Sequence, residues 1–245
     1  MKADLRKLAF FLLYPHQNNY ILKTLCLGFI VKFMGLSLAW AQPQNTSGLR
    51  FLALGDSYTI GESVPVGGRW PLQLAFQLGK KGLKFREVSI IARTGWRTDQ
   101  LYDSLMSRPE LQNYDLVSLL IGVNNQYQGR DTAVYRQEFT QLLEEAVRRA
   151  GGRVSRVFVV SIPDYGCTPF GKAKAEKIAR EIDMYNALIR EITRAAGIRY
   201  FDITPISRQA VQDPSLVAED ELHPSEKMYA AWVKLMWKEV RQMLR

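Results

Sequence analysis

Leu49-Arg50-Phe51-Leu52-Ala53-Leu54-Gly55-Asp56-Ser57-Tyr58-Thr59 is an apolar run that breaks off in a turn bearing a serine. Its first six residues are apolar except Arg50, and they stop at Gly-Asp-Ser. A short apolar run bounded by turn residues reads as a buried strand. The turn then sets Ser57 at the strand's carboxyl end. Gly-Asp-Ser is also an ordinary turn sequence, so the stretch alone allows a purely structural corner.

The same pattern recurs downstream. Phe85 to Ile91, Leu116 to Ile121, Val154 to Ile162 and Ile198 to Phe201 read as further strands. Between them, Trp70 to Lys81, Asp99 to Met106, Ala133 to Ala150, Lys174 to Ala196 and Ser225 to Leu244 carry helical periodicity. Strands apolar throughout and separated by helices describe a parallel sheet covered on both faces. The expected class is α/β: a three-layer α/β/α sandwich around a parallel sheet of about five strands. Ligands gather at the carboxyl ends of such strands, which directs attention to the loops starting at Gly55, Ala92, Gly122, Pro163 and Asp202. The long irregular segments, Gly122 to Asp131 and Thr204 to Pro224, add to these, because long loops in compact domains are often functional.

The chain has 245 residues, 47% of them hydrophobic, enough for one sizeable core. Residues 1–41 differ from the rest. Lys2, Arg6, Lys7 and Lys23 precede an apolar run from Leu25 to Ala41, broken by Lys32 and ending in Ala39-Trp40-Ala41. Charge followed by an apolar run and a small-x-small end is an export pattern: a signal peptide cleaved after Ala41, or an uncleaved membrane anchor. Residues 42–48 read as a linker and 49–245 as the single domain, placed by export in a periplasm or outside the cell. The only membrane contact expected is through the leader.

The formal charge is +9, of which residues 1–41 supply five Lys/Arg against one Asp, leaving 28 basic and 23 acidic residues. A net +5 interleaved along helix faces, with no recognition motif, gives no basis for nucleic-acid binding. Two cysteines, Cys26 and Cys167, leave the mature chain one thiol and no internal disulfide.

An alcohol needs an adjacent base to act as a nucleophile, and histidine is suited to that task. Of the two histidines, His16 lies in the leader, so a histidine base for Ser57 has to be His223. Asp220, three residues earlier in Glu219-Asp220-Glu221-Leu222-His223-Pro224, is within one turn of the imidazole Nδ1. The structural alternative is that Asp220 and His223 cap the last helix, with Pro224 as its first residue. Acyl transfer also needs donors for an oxyanion. Gly95, in Arg93-Thr94-Gly95-Trp96, offers a backbone N–H, and Asn124, in Gly122-Val123-Asn124-Asn125, a side-chain amide.

In order and spacing these four blocks resemble the SGNH hydrolase family, the GDSL esterases and lipases, from Leu49 to the C-terminal helix. The resemblance implies a flavodoxin-like sandwich and a Ser57, Asp220, His223 triad. It also implies an oxyanion hole from Ser57, Gly95 and Asn124. One departure stands out: the family's acid after the block-three asparagine is Asn125 here, an amide able to take over part of the acid's bracing of the loop. Asp56 is expected to bond backbone groups of its own loop.

The implied activity is hydrolysis of carboxylic esters through an acyl-enzyme, on short acyl esters of carbohydrate or lipid, with no cofactor and no metal. An acyltransferase using the same triad and a silent glycan-binding protein are the rival readings. The expected partner is a small-molecule, glycan or lipid ester substrate, with the oligomeric state left open. Tyr58, Trp96, Arg97, Tyr127, Tyr165 and Phe170 are expected around the rim, as a sugar platform, an acyl pocket or simple packing. Cys167 has no second histidine to activate it and reads as a small buried residue.

Overall fold

The structure, a computed structural model, describes residues 47–245. The leader, its Cys26 and His16, and all but the last two residues of the 42–48 linker lie outside the described residues.

Five strands form one sheet: β1 (Leu49–Gly55), β2 (Phe85–Ala92), β3 (Leu116–Leu120), β4 (Val157–Val160) and β5 (Arg199–Phe201). Every pair is parallel, in the order β2-β1-β3-β4-β5. The helices are α1 (Ser57–Ile60), α2 (Trp70–Gly79), α3 (Thr98–Met106), α4 (Val123–Tyr127), α5 (Thr132–Arg149), α6 (Ala175–Ala195), α7 (Thr204–Ser207) and α8 (Glu226–Met243). α2 packs on α8, while α5 packs between α3 and α6, giving the expected three layers.

β1 from Phe51 onward and all of β3 are buried, and apolar apart from Ser118, because parallel strands are covered on both faces. An aromatic seam joins the sheet to α2: Phe51 lies 6.2 Å from Trp70 and 6.3 Å from Phe158, which meets Phe201 at 5.6 Å. Tyr135 of α5 meets Tyr185 of α6 at 4.7 Å. Full burial of each such side chain contributes about 1.5–3 kcal/mol.

The chain leaves β1 toward β2 on one side and reaches β3 on the other. Loops after β1 and β3 therefore diverge and open a crevice at their carboxyl ends. Ser57 and Asn124 follow those two strands.

Local boundaries differ from expectation for identifiable reasons. The strand expected at Val154 to Ile162 shortens to β4, since Val154–Arg156 closes a 3₁₀ turn and Ile162 N–H is taken at 2.8 Å by the Asn186 side chain. The irregular segments contain α4, α7 and two 3₁₀ turns at Arg208–Val211 and Pro214–Leu216. The last helix starts where expected, at Ser225, which caps α8 by accepting from Met228 N–H, while Pro224 bridges to Val217 and the alternative start at Pro224 falls away.

Candidate active site

The first block is shaped by contact with the sheet. A Cβ on Gly55 would stand 2.2 Å from Thr59 Oγ1 and 2.4 Å from the Leu120 carbonyl, so a side chain there would force α1 away from the end of β3. Asp56 is fully buried and caps α1 by accepting from Tyr58 N–H at 3.0 Å. It acts on its own loop, as expected. Burial pushes its carboxyl up to about 7, against the opposing effect of the backbone hydrogen bonds. Ser57 opens α1, where the first N–H groups of a helix have no intrahelical acceptor. Its N–H donates to no acceptor among the described residues.

The last block is a tight turn around one carboxylate. Asp220 Oδ1 accepts from the backbone N–H of Leu222 at 3.0 Å and of His223 at 2.9 Å. Its Oδ2 lies 2.6 Å from His223 Nδ1 and accepts from the Ser63 hydroxyl at 2.5 Å. Burial alone would raise the Asp220 carboxyl, but these donors outweigh it and hold it at about 2. Glu221 takes a left-handed conformation, φ 63°, and is exposed. With Ser225 as the cap of α8, Asp220 and His223 do not cap that helix.

The second and third blocks meet the first. Trp96 N–H donates to Arg93 carbonyl at 3.2 Å, with Gly95 at φ 83° in the turn position that demands a left-handed residue. Gly95 N–H has no acceptor among the described residues. The Thr94 hydroxyl donates to Glu62, tying this turn to the loop after α1. One N–H of the Asn124 amide is held by the Trp96 carbonyl at 2.9 Å, leaving the second for the cavity.

Asn125 is buried and bridges to α3: its Oδ1 accepts from Thr98 N–H at 3.1 Å, and its Nδ2 donates to Thr98 Oγ1 at 2.6 Å. Thr98 in turn donates to Glu138 of α5. Asn125 is thus linked through Thr98 to a carboxylate on another helix.

Ser57, Gly95, Asn124 and His223 line one open cavity of about 190 Å³, together with Thr94 and the side chains of Tyr58, Val123, Tyr127, Tyr165, Phe170 and Leu222. Asp220 stands behind His223. Ser57 is not hydrogen-bonded to His223 here; the ring's own bond is to Asp220. Such contacts often tighten only around substrate. Tyr58 meets the His223 ring edge-on at 5.5 Å. Trp96 and Arg97 do not line the cavity, and Arg97 pairs instead with Asp99 at 2.8 Å.

The profile of the GDSL-like lipase/acylhydrolase family matches residues 53–231, from β1 into α8. The chain belongs to this family. It is accordingly a carboxylic ester hydrolase. Comparison with curated proteins gives no match by sequence. Among solved structures, the acylhydrolase is similar to that of TesA, with 14% identity and a TM-score of 0.64 over 79% of this chain and 99% of that one. It is also similar to the acetylxylan esterase Axe2 from Geobacillus stearothermophilus, at 19% identity and a TM-score of 0.61 over 79% and 94% of the two chains. The psychrotrophic esterase EstA from Pseudoalteromonas sp. aligns at 14% identity and a TM-score of 0.59, over 79% and 97%. At these identities the likeness is one of fold.

Two supporting groups of the acylhydrolase carry no sequence signal. Ser63 reaches Asp220 across 157 positions, and Glu138 reaches Thr98 across 40. The loop bearing Tyr165 and Phe170 is anchored by Asp164, which is buried, ion-paired with Arg208 at 2.9 Å and bonded through its N–H to Ser207. Phe170 N–H donates to Glu221 carbonyl at 3.1 Å, joining this loop to the histidine turn. Cys167 is half-buried rather than buried, and desolvation pushes its thiol up to about 11, too high for a thiolate nucleophile near neutral pH. Among the described residues no three His, Cys, Asp or Glu side chains converge as a metal site.

Proposed function

We propose that Ser57 is the nucleophile of a hydrolase for short acyl esters, with His223 as general base and Asp220 as its orienting acid. The carrying observation is the 2.6 Å contact from Asp220 Oδ2 to His223 Nδ1, made behind a ring that shares its cavity with Ser57. With Nδ1–H donated to the carboxylate, Nε2 is left unprotonated for the serine.

Ser57 Oγ attacks the acyl carbon as Nε2 takes its proton. The carbonyl oxygen becomes an oxyanion, which the N–H groups of Ser57 and Gly95 and the amide of Asn124 stabilise. The C–O bond to the alcohol breaks, and His223 returns the proton to the departing oxygen. Water, activated by the same Nε2, then releases the acid and regenerates Ser57.

The cavity is about 190 Å³ and walled by aromatic rings. That is below the range of about 300–1,000 Å³ typical of pockets for drug-sized ligands. It fits an acetyl-sized group better than a long alkyl chain, and the fold shared with an acetylxylan esterase agrees with an acyl group carried on carbohydrate. The leader pattern in residues 1–41 supports export of the enzyme.

The test is hydrolysis of p-nitrophenyl esters from acetate to palmitate by the full chain and by Ser57→Ala. Turnover strongest on acetate and reduced by about 10³-fold or more in the variant is expected. Equal traces in both proteins would remove the triad assignment, and a preference for palmitate would remove the short-acyl assignment.

A further inference from the structure

A second cavity, of about 250 Å³, adjoins the first and shares Tyr127, Tyr165 and Phe170 with it. The three rings form one cluster with centroids 6.2 to 6.3 Å apart, yet Tyr127 is 61% exposed and Phe170 52%. The remaining lining sets Gln126, Lys174, Lys177 and Glu181 beside Ala173, Ile178 and two glycines. Gln126 is 6% exposed, and its Nε2 is held by Glu181 at 2.6 Å. Its Oε1 is buried with no hydrogen-bond partner. A buried acceptor left unpaired costs about 1–3 kcal/mol, so it marks a place where a donor belongs.

We infer that this second cavity is the subsite for the alcohol part of the ester, and that the alcohol it takes is a pyranose. The inference rests on the ester-hydrolase assignment of Ser57. A sugar ring has a C–H face, which fits the exposed rings of Tyr127 and Phe170, and hydroxyl edges, which fit the polar groups of Gln126, Lys174, Lys177 and Glu181. One hydroxyl donates to Gln126 Oε1, while Lys174 and Lys177 donate to hydroxyl oxygens. An alkyl chain would bury those same polar groups without partners, an unfavourable exchange. The acyl group then occupies the smaller apolar cavity beside Ser57, and the scissile bond lies where the shared aromatic wall ends.

The experiment compares kcat/KM on two acetates, p-nitrophenyl acetate and a monoacetylated methyl pyranoside, using the full chain, Gln126→Met and Phe170→Ala. Wild-type turnover of both is expected. The ratio of pyranoside to phenyl-ester efficiency should fall about tenfold in Gln126→Met, the effect of losing about 1.4 kcal/mol, and the change should appear mainly in KM. If Gln126→Met does not fold, as read by thermal unfolding, the half-exposed Phe170→Ala supplies the same ratio. An unchanged ratio in the folded variants overturns the inference. So does an equal loss on both acetates, which would assign the aromatic wall to the acyl pocket, and so does wild type that accepts only the phenyl ester. Wild type inactive on both acetates, or activity retained in Ser57→Ala, would instead remove the ester-hydrolase assignment of Ser57 itself.

Discussion

The Ser63 hydroxyl donates to Oδ2 of Asp220, the same carboxylate oxygen that faces Nδ1 of His223. Ser63 holds a left-handed backbone, φ 62°, an uncommon conformation for a residue with a Cβ. The hydroxyl and the strain make separable predictions. A hydrogen bond to a charged group contributes about 1.5–3 kcal/mol. Ser63→Ala and Ser63→Gly should therefore both lower kcat/KM by about tenfold or more. Glycine adopts this φ without strain, so Ser63→Gly should match or exceed Ser63→Ala in Tm. Full activity in Ser63→Gly with loss in Ser63→Ala would instead assign the role of Ser63 to backbone shape.

Asp220 is surrounded by donors: the Ser63 hydroxyl, the N–H groups of Leu222 and His223, and the imidazole. Asp220→Asn turns one of its acceptor oxygens into a donor and favours the wrong imidazole tautomer. In serine triads that change lowers kcat by about 10⁴. A loss of that order on p-nitrophenyl acetate is expected, and steady-state kinetics beside a thermal melt would check it. A loss below about tenfold would show that Asp220 does not orient His223.

Thr98 has one hydroxyl proton, which goes to Glu138, while its oxygen accepts from Asn125. Restoring the family's acid by Asn125→Asp would set two carboxylates against that single proton. Destabilisation of about 1–3 kcal/mol follows, by the cost of an unsatisfied buried group. Adding Glu138→Gln lets an amide donate to Thr98 from the other side, so the double variant should recover most of the loss. Denaturant unfolding of the two single variants and the double variant reads this directly. Additivity of the two effects would show that the chain of bonds is not coupled.

Asp56 is fully buried, and desolvation lifts its carboxyl to about 7 from an ordinary value near 3.8. A group raised in the folded state binds a proton more tightly there than in the unfolded chain. Stability is then lost as pH rises between about 4 and 7. Asp56→Asn keeps the oxygen that caps α1 and removes the titration. Across that interval the wild-type Tm should fall relative to Asp56→Asn, and parallel Tm curves would exclude the effect.

Features that depend on local pattern are legible along the chain. The buried strand before Gly55, the alternation with amphipathic helices and the ordered blocks around Ser57, Gly95, Asn124 and Asp220-x-x-His223 are all encoded by neighbours a few residues apart. Period, turn chemistry and spacing were therefore enough for the sandwich and for the residues that meet at its crevice. The groups that hold them are set by long-range contacts made on folding. Ser63, Glu138 and Gln126 occupy no motif, because their partners arrive from distant segments once the sheet has brought the loops together. Tertiary packing also took Trp96 and Arg97 off the rim expected for them. Rim membership follows from which packing surface is nearest after folding, and that proximity has no counterpart along the chain.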